Sequence, residues 1–271
     1  PARRGLIYWP GNNTLNSRIY FCAQKKLIGL NAANGKPIKS FGSSGVVKLK
    51  QGCLISPVII NKKLIIATFE PAMEVYDLLD GKMLWKYYLK DRKFHDKRHG
   101  GKRFDFSGGN PWGGISADIK RGIVFISTGN AGYYFNGVNR PGDNKYSNSI
   151  IAIDVINKKI LWDFQEVSHD IWNLDIPAPP ILTSIKKNEI KIDVLVAVTK
   201  MGNTIILDLL SGEPIFDFHK KKAPLSKIPG EKTAYYQPNL KTPRPFSKQI
   251  FNEKEITDIS NKSKNFIKNK I

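Results

Sequence analysis

Short apolar runs alternate with compact polar turns along the chain, and one form of that alternation occurs four times. Leu27-Ile28-Gly29-Leu30-Asn31 is followed by Asn34-Gly35-Lys36. Met73-Glu74-Val75-Tyr76-Asp77 is followed by Asp80-Gly81-Lys82 and Trp85. Ile150-Ile151-Ala152-Ile153-Asp154 is followed by Asn157-Lys158-Lys159 and Trp162. Thr204-Ile205-Ile206-Leu207-Asp208 is followed by Ser211-Gly212-Glu213 and Phe216. In the last three copies the aromatic stands eight residues after the Asp. Runs this short fit strands better than helices. The Asp side chain caps the turn, Gly takes the positive-φ position, and the aromatic opens the next strand facing the core. Most copies follow another apolar run, over residues 18–21, 63–68, 122–127 and 194–198. Strand, turn, strand, Asp-x-x-x-Gly and strand make one propeller blade. The pattern therefore predicts an all-β chain, a partial β-propeller of four-stranded antiparallel blades with about four repeats.

The repeats are unevenly spaced, which leaves long stretches over residues 86–110, 131–148 and 168–188. Long loops on a regular scaffold are the expected place for a site. Residues 1–219 read as the propeller. Residues 220–271 read as loop followed by a mobile Lys/Asn-rich tail leading to blades absent from this chain, and no segment has sustained helical periodicity.

Composition narrows the picture only a little. A length of 271 residues is enough for a sizeable core, and 41% hydrophobic content is ordinary. No apolar run approaches the roughly 18 residues that a transmembrane helix needs. The net charge is +20, but the lysines are scattered, and the densest run, His219-Lys220-Lys221-Lys222, sits in loop-like sequence. That pattern reads as solvated surface, with no nucleic-acid partner expected. Cys22 and Cys53 match no metal spacing and pair only if the fold brings them together. The chain opens at Pro1 in what already reads as structure, so it is expected to be a fragment or a processed chain.

The densest chemistry lies in Ser168-His169-Asp170-Ile171-Trp172-Asn173-Leu174-Asp175-Ile176-Pro177-Ala178-Pro179-Pro180. Acids, an imidazole, an indole and an amide are closed off by a stiff Pro-Ala-Pro-Pro run, which suggests a loop held in one shape. Further motifs surround it: Asn110-Pro111-Trp112-Gly113-Gly114, Ser127-Thr128-Gly129-Asn130, Arg140-Pro141-Gly142-Asp143-Asn144, Thr199-Lys200-Met201-Gly202-Asn203 and Gly212-Glu213-Pro214-Ile215. Arg4-Gly5-Leu6-Ile7-Tyr8-Trp9 and Gln237-Pro238 flank the set.

In order and spacing these motifs resemble the pyrroloquinoline quinone (PQQ)-dependent dehydrogenases over residues 1–240, most closely the glucose-dehydrogenase-like branch. The resemblance implies an eight-bladed propeller holding PQQ and calcium, or another divalent or lanthanide ion, near its axis. It implies periplasmic oxidation of a sugar or alcohol, with electrons passed to a quinone or cytochrome acceptor. Attachment to the inner membrane would run through a segment not in this chain. The alternative from another class is a non-catalytic propeller that acts as a binding scaffold.

The resemblance also assigns roles. Trp112 becomes the floor under the quinone ring; small neighbours leave an indole face open to a flat ligand, although a core Trp of the kind expected for Trp85 and Trp162 would also fit. Asn130, whose amide oxygen suits a hard cation, becomes a metal ligand. Glu70 is the one acid placed to supply the carboxylate ligand. Lys200 becomes the cation that binds a quinone oxygen. Arg140, Asp143 and Asn144 read as a structured turn. The acid that should follow Trp172 as general base is replaced by Asn173, and an amide cannot accept a proton at neutral pH. Asp175 and Asp170 are the substitutes at hand, with His169 beside them. An extended segment would turn Asp175 to the same side as Asn173.

Overall fold

A computed structural model of the chain describes residues 5–53, 55–90, 109–132 and 134–270. Most of the 86–110 stretch and Arg4 lie outside the described residues. Three four-stranded antiparallel sheets follow one another along the sequence, each a simple meander. The first holds β1 (Ile7–Trp9), β2 (Arg18–Ala23), β3 (Lys26–Asn31) and β4 (Val46–Lys48). The second holds β5 (Val58–Ile60), β6 (Lys63–Thr68), β7 (Ala72–Asp77) and β8 (Met83–Tyr88). The third holds β9 (Gly114–Asp118), β10 (Ile123–Ser127), β11 (Ser149–Asp154) and β12 (Lys159–Gln165). The fourth has β13 (Ile181–Lys187), β14 (Ile190–Val198) and β15 (Thr204–Asp208). The opening strands of successive sheets touch in order, β1 with β5, β5 with β9 and β9 with β13. That is the inner ring of a propeller, and the fold is all-β and propeller-like as the repeats predict.

Strand periodicity explains how the sheets stack. Along β10 and β11, Val124, Ile126, Ile151 and Ile153 join one core with the second sheet, including Ile65, Ile66, Met73 and Val75. The alternating residues Ile123, Phe125, Ile150 and Ala152 join another core with Leu195, Ala197, Ile205 and Leu207 of the fourth sheet. A blade covered on both faces must be apolar at both phases of the alternation, which is why these runs are continuous in the sequence.

The repeated turns form as their residues require. Asp77, Asp154 and Asp208 each accept two backbone N–H groups of the turn that follows, at 2.7–3.2 Å. The fifth turn position has positive φ in all four copies: Gly35, Gly81 and Gly212, and Lys158 with φ 58°. Gly212 is also needed for contact, since a Cβ there would lie 2.5 Å from the Trp162 ring, whose Nε1 donates to Leu209 O at 3.3 Å. Trp162 thus docks its sheet onto the next turn. Trp85 has its Nε1 buried without a hydrogen-bond partner. Cys22 and Cys53 are brought together as a disulfide with 5.5 Å between Cα atoms.

Three expectations need correction. The fourth sheet has three strands: Pro214 bridges to Leu207 and Ile215 N donates to Ile206 O, but Pro lacks the N–H needed to extend a ladder. The loop after β12 ends at Pro180, because β13 already begins at Ile181. The segment from residue 220 is not all loop. β16 (Lys220–Lys222) pairs with β17 (Tyr236–Pro238), and α1 (Asn261–Lys268) starts at Ser260, whose Oγ accepts Ser263 N–H at 3.1 Å. Elements this short leave no periodicity to read, and β16 is built of three lysines.

Candidate functional site

The candidate site lies at the end of the sheets where β9 and β13 begin and where β10, β12 and β14 finish. Backbone bonds sew the loops there together. Trp112 N and Gly129 N both donate to Asn110 O, at 2.9 and 3.0 Å, and Ile176 N donates to Thr128 O at 3.3 Å. The loop over residues 168–180 is therefore tied to the loop after β10 as well as to its own blade.

Asp175 is the hub. Its buried carboxylate accepts Asn130 N–H at Oδ1 (2.6 Å) and the Lys200 ammonium at Oδ2. Lys200 Nζ also donates to Asn173 O at 3.2 Å and lies 5.6 Å from the Trp112 ring centroid. Trp112, Asn130, Asn173, Asp175 and Lys200 thus form one cluster. Gly129 allows the approach: a Cβ there would lie 2.5 Å from Asp175 Oδ1 and 2.6 Å from Trp112 Nε1. The amide of Asn130 is fixed by Nδ2 donating to Tyr134 O at 2.8 Å, which leaves Oδ1 buried without a hydrogen-bond partner.

The other sequence candidates are placed elsewhere. Asp170 is fully buried and spends its oxygens on the loop, accepting Trp172 N–H (2.8 Å), Leu174 N–H (2.6 Å) and Asn148 Nδ2 (2.8 Å). Burial pushes its carboxyl above the usual range, against the pull of those bonds and of Arg140. Arg140 is buried and bound to Asn144, so the turn expected around it is there. Asn173 has φ 61°, the left-handed region that Asn tolerates, so the segment is not extended through it and simple alternation with Asp175 does not apply. Glu70 is not brought to Asn130. Its Oε2 accepts Lys86 Nζ at 2.7 Å in a separate network with Glu74 and Tyr76.

His169 has both ring nitrogens on oxygens, Nδ1 at 2.7 Å from Gly142 O and Nε2 at 2.6 Å from Glu231 Oε1. A carbonyl can only accept, so Nδ1 is the donor to Gly142 O, and Nε2 faces the Glu231 carboxyl. Sequence reasoning missed Glu231 and Glu166. Glu231 lies in a patternless loop far down the chain. Glu166 follows β12 and carries no motif; it is almost wholly buried, and its carboxyl is pushed up to about 7, chiefly by burial.

The sequence profile of the PQQ glucose/ethanol/alcohol dehydrogenase β-propeller domain matches residues 1–271. The chain belongs to this family. This PQQ-type propeller chain is 28% identical over 236 residues to the glycerol dehydrogenase large subunit of Gluconobacter oxydans, covering 79% of the chain and 32% of that protein. It is 28% identical over 234 residues to the quinoprotein glucose dehydrogenase of Escherichia coli, covering 79% of the chain and 29% of that protein. It therefore spans about a third of the length of these curated relatives. Its fold matches the quinohemoprotein alcohol dehydrogenase of Comamonas testosteroni with TM-score 0.64 at 23% identity, covering 91% of this chain and 39% of that one. A europium-containing methanol dehydrogenase matches with TM-score 0.65 at 21% identity, covering 86% and 45%.

The residues of the PQQ-type chain suit the family's cofactor in two respects. An indole flanked by Gly113 and Gly114, with an ammonium beside it, suits a flat anionic quinone. The orphan Oδ1 of Asn130, on the residue whose backbone N–H meets the Asp175 carboxylate, suits a hard cation, which takes neutral and charged oxygens together. Among the described residues no group of three or more His, Cys, Asp or Glu side chains gathers as a metal site.

Proposed function

We propose that this chain forms part of a PQQ-dependent dehydrogenase that oxidises a sugar or alcohol and passes the electrons to a quinone or cytochrome acceptor. The observation that carries the proposal is the cluster of Trp112, Asn130, Asp175 and Lys200, gathered from three loops and one hairpin turn. In this reading Trp112 and Lys200 hold PQQ, and Asn130 with Asp175 faces calcium or a comparable ion. When bound, PQQ supplies the oxidising power by taking a hydride equivalent from a carbinol carbon. The protein's own part is to remove the hydroxyl proton and to hold charge. Asp175 is the one carboxylate in the described cluster, so it is the base; Asn173 cannot serve. Lys200 contacts Asp175 and offers positive charge where negative charge develops.

The disulfide supports a periplasmic location, since such bonds persist in oxidising compartments. Among the described residues no helix is long and apolar enough to cross a membrane. Asn173 is the observation that favours the second reading, a propeller that binds partners without turnover.

The test is titration of the protein, expressed in its full reading frame, with PQQ and Ca²⁺, followed by dye-linked oxidation of sugars and alcohols. Saturable binding that Trp112→Ala and Lys200→Ala weaken, with turnover, is the expected result. Absence of binding would overturn the proposal, and binding without turnover would favour the scaffold.

A further inference from the structure

Lys200 is presented by a tight turn, Thr199–Asn203, in which Thr199 N donates to Asn203 O at 3.1 Å and Gly202 N to Thr199 O at 3.0 Å. Outside, that turn is held by the segment 246–249: Phe246 N donates to Gly202 O at 2.8 Å and Gln249 Nε2 to Met201 O at 2.8 Å. Inside, a single side chain holds both of its ends. Glu166 Oε1 accepts Thr199 Oγ1 at 3.0 Å and Asn203 Nδ2 at 2.8 Å. Glu166 belongs to the third blade and the turn to the fourth. Its backbone N–H donates to Asn148 O at 2.9 Å, and Asn148 Nδ2 in turn holds Leu174 O and Asp170 Oδ2. One carboxyl therefore references the Lys200 turn to the strand that also anchors the Asp175 loop. Glu166 Oε2 is buried and without a hydrogen-bond partner, a costly arrangement that plain packing would not need.

We infer that Glu166 is a positioning residue for Lys200, fixing across the blade junction the distance at which the ammonium meets Asp175 and Trp112. The inference rests on the role proposed for Lys200, but the clamp itself can be read without turnover. A neutral acceptor does the same work as the carboxylate, because both bonds run to one oxygen. Burial favours that neutral state: the raised carboxyl, with Asp170 the other charged group acting on it, is largely protonated below neutral pH.

The experiment is competitive labelling of lysines with an amine reagent, read by mass spectrometry as the ratio of Lys200 to the exposed Lys191 in the same sample. Glu166→Leu is expected to raise the Lys200 ratio several-fold, as the contact with Asp175 loosens, and Glu166→Gln to restore it. Thr199→Val with Asn203→Ala removes the clamp from the other side and is expected to match Glu166→Leu; it serves alone if the Leu variant does not fold. In active protein kcat should fall with KM little changed for the Leu variant and recover in the Gln variant. A Lys200 ratio equal to the parent's in a folded clamp-deficient variant would overturn the inference, even if Tm drops. Loss of PQQ binding in the parent would overturn the proposed function while leaving the labelling result intact.

Discussion

Asp175 and Lys200 are joined twice, by the contact of carboxylate and ammonium and by the Lys200 N–H bond to Asp175 O at 3.2 Å. The backbone bond fixes the separation of the two Cα atoms, so the side chains meet without a search over rotamers. The carboxylate is buried and the ammonium only partly so, and Asp175 also accepts Asn130 N–H. Removing the carboxylate would leave the other two groups short of a partner.

Substitution at the two candidate base positions should separate their roles. Asp175→Asn should lower dye reduction about 10²- to 10⁴-fold, the usual worth of a general base. Asn173→Asp should gain little, because Asn173 meets Lys200 through its backbone oxygen, which the substitution leaves in place. Steady-state rates with sugars and alcohols check both; a large gain from Asn173→Asp would return the base to that position.

Glu166 should make stability fall as pH rises. Its folded carboxyl is raised from the ordinary 4.5 to about 7, so the folded state holds the proton more tightly than the unfolded chain. The stability this gives is fully present below about 4.5 and lost as pH climbs through about 7, an effect on the order of 3 kcal/mol. Denaturant midpoints at pH 5 and pH 8 should differ less in Glu166→Gln than in the parent. An identical pH dependence in both would contradict the account.

The His169–Glu231 pair should act in the opposite direction. Burial raises the Glu231 carboxyl, but the His169 and Gly137 bonds and the nearby Arg140 charge outweigh it and leave it below its ordinary value. Stability from this pair is present above about 4.5 and lost as pH falls through the lowered folded value. Glu231→Gln should unfold more readily at pH 6 and lose less on going to pH 3, as thermal melts at the two values would show.

Lys158 stands in the left-handed region at the turn position that holds Gly in the other three repeats. Lys158→Gly removes a conformational penalty of roughly 1–2 kcal/mol, offset in part by the entropy Gly loses on folding. A gain of about 1 kcal/mol, seen as a Tm rise of roughly 2–4 °C, is expected. A lower Tm would mean that the Lys side chain contributes more than its backbone costs.

The sequence by itself determined the blades. Asp caps, Gly turns and apolar alternation act over a few residues, so the strands at 63–68 and 204–208 and the turns after Asp77, Asp154 and Asp208 were legible from local chemistry. The ordered motifs also marked Trp112, Asn130, Asn173 and Lys200 as belonging together, with Asp175 and Asp170 as substitute acids beside them. Only the tertiary structure decided which acids enter the cluster. Glu70 is drawn away by Lys86, which faces it from the neighbouring strand region, and Asp170 is consumed by its own loop. Glu166 and Glu231 gain their partners from residues tens of positions away. The pairing of Cys22 with Cys53 likewise waits on the segment after β4 folding back onto the β2–β3 turn, where Cys53 N donates to Gln24 O at 2.9 Å. Hydrogen bonding and burial at such distances depend on how the blades stack, and no short stretch of sequence encodes that.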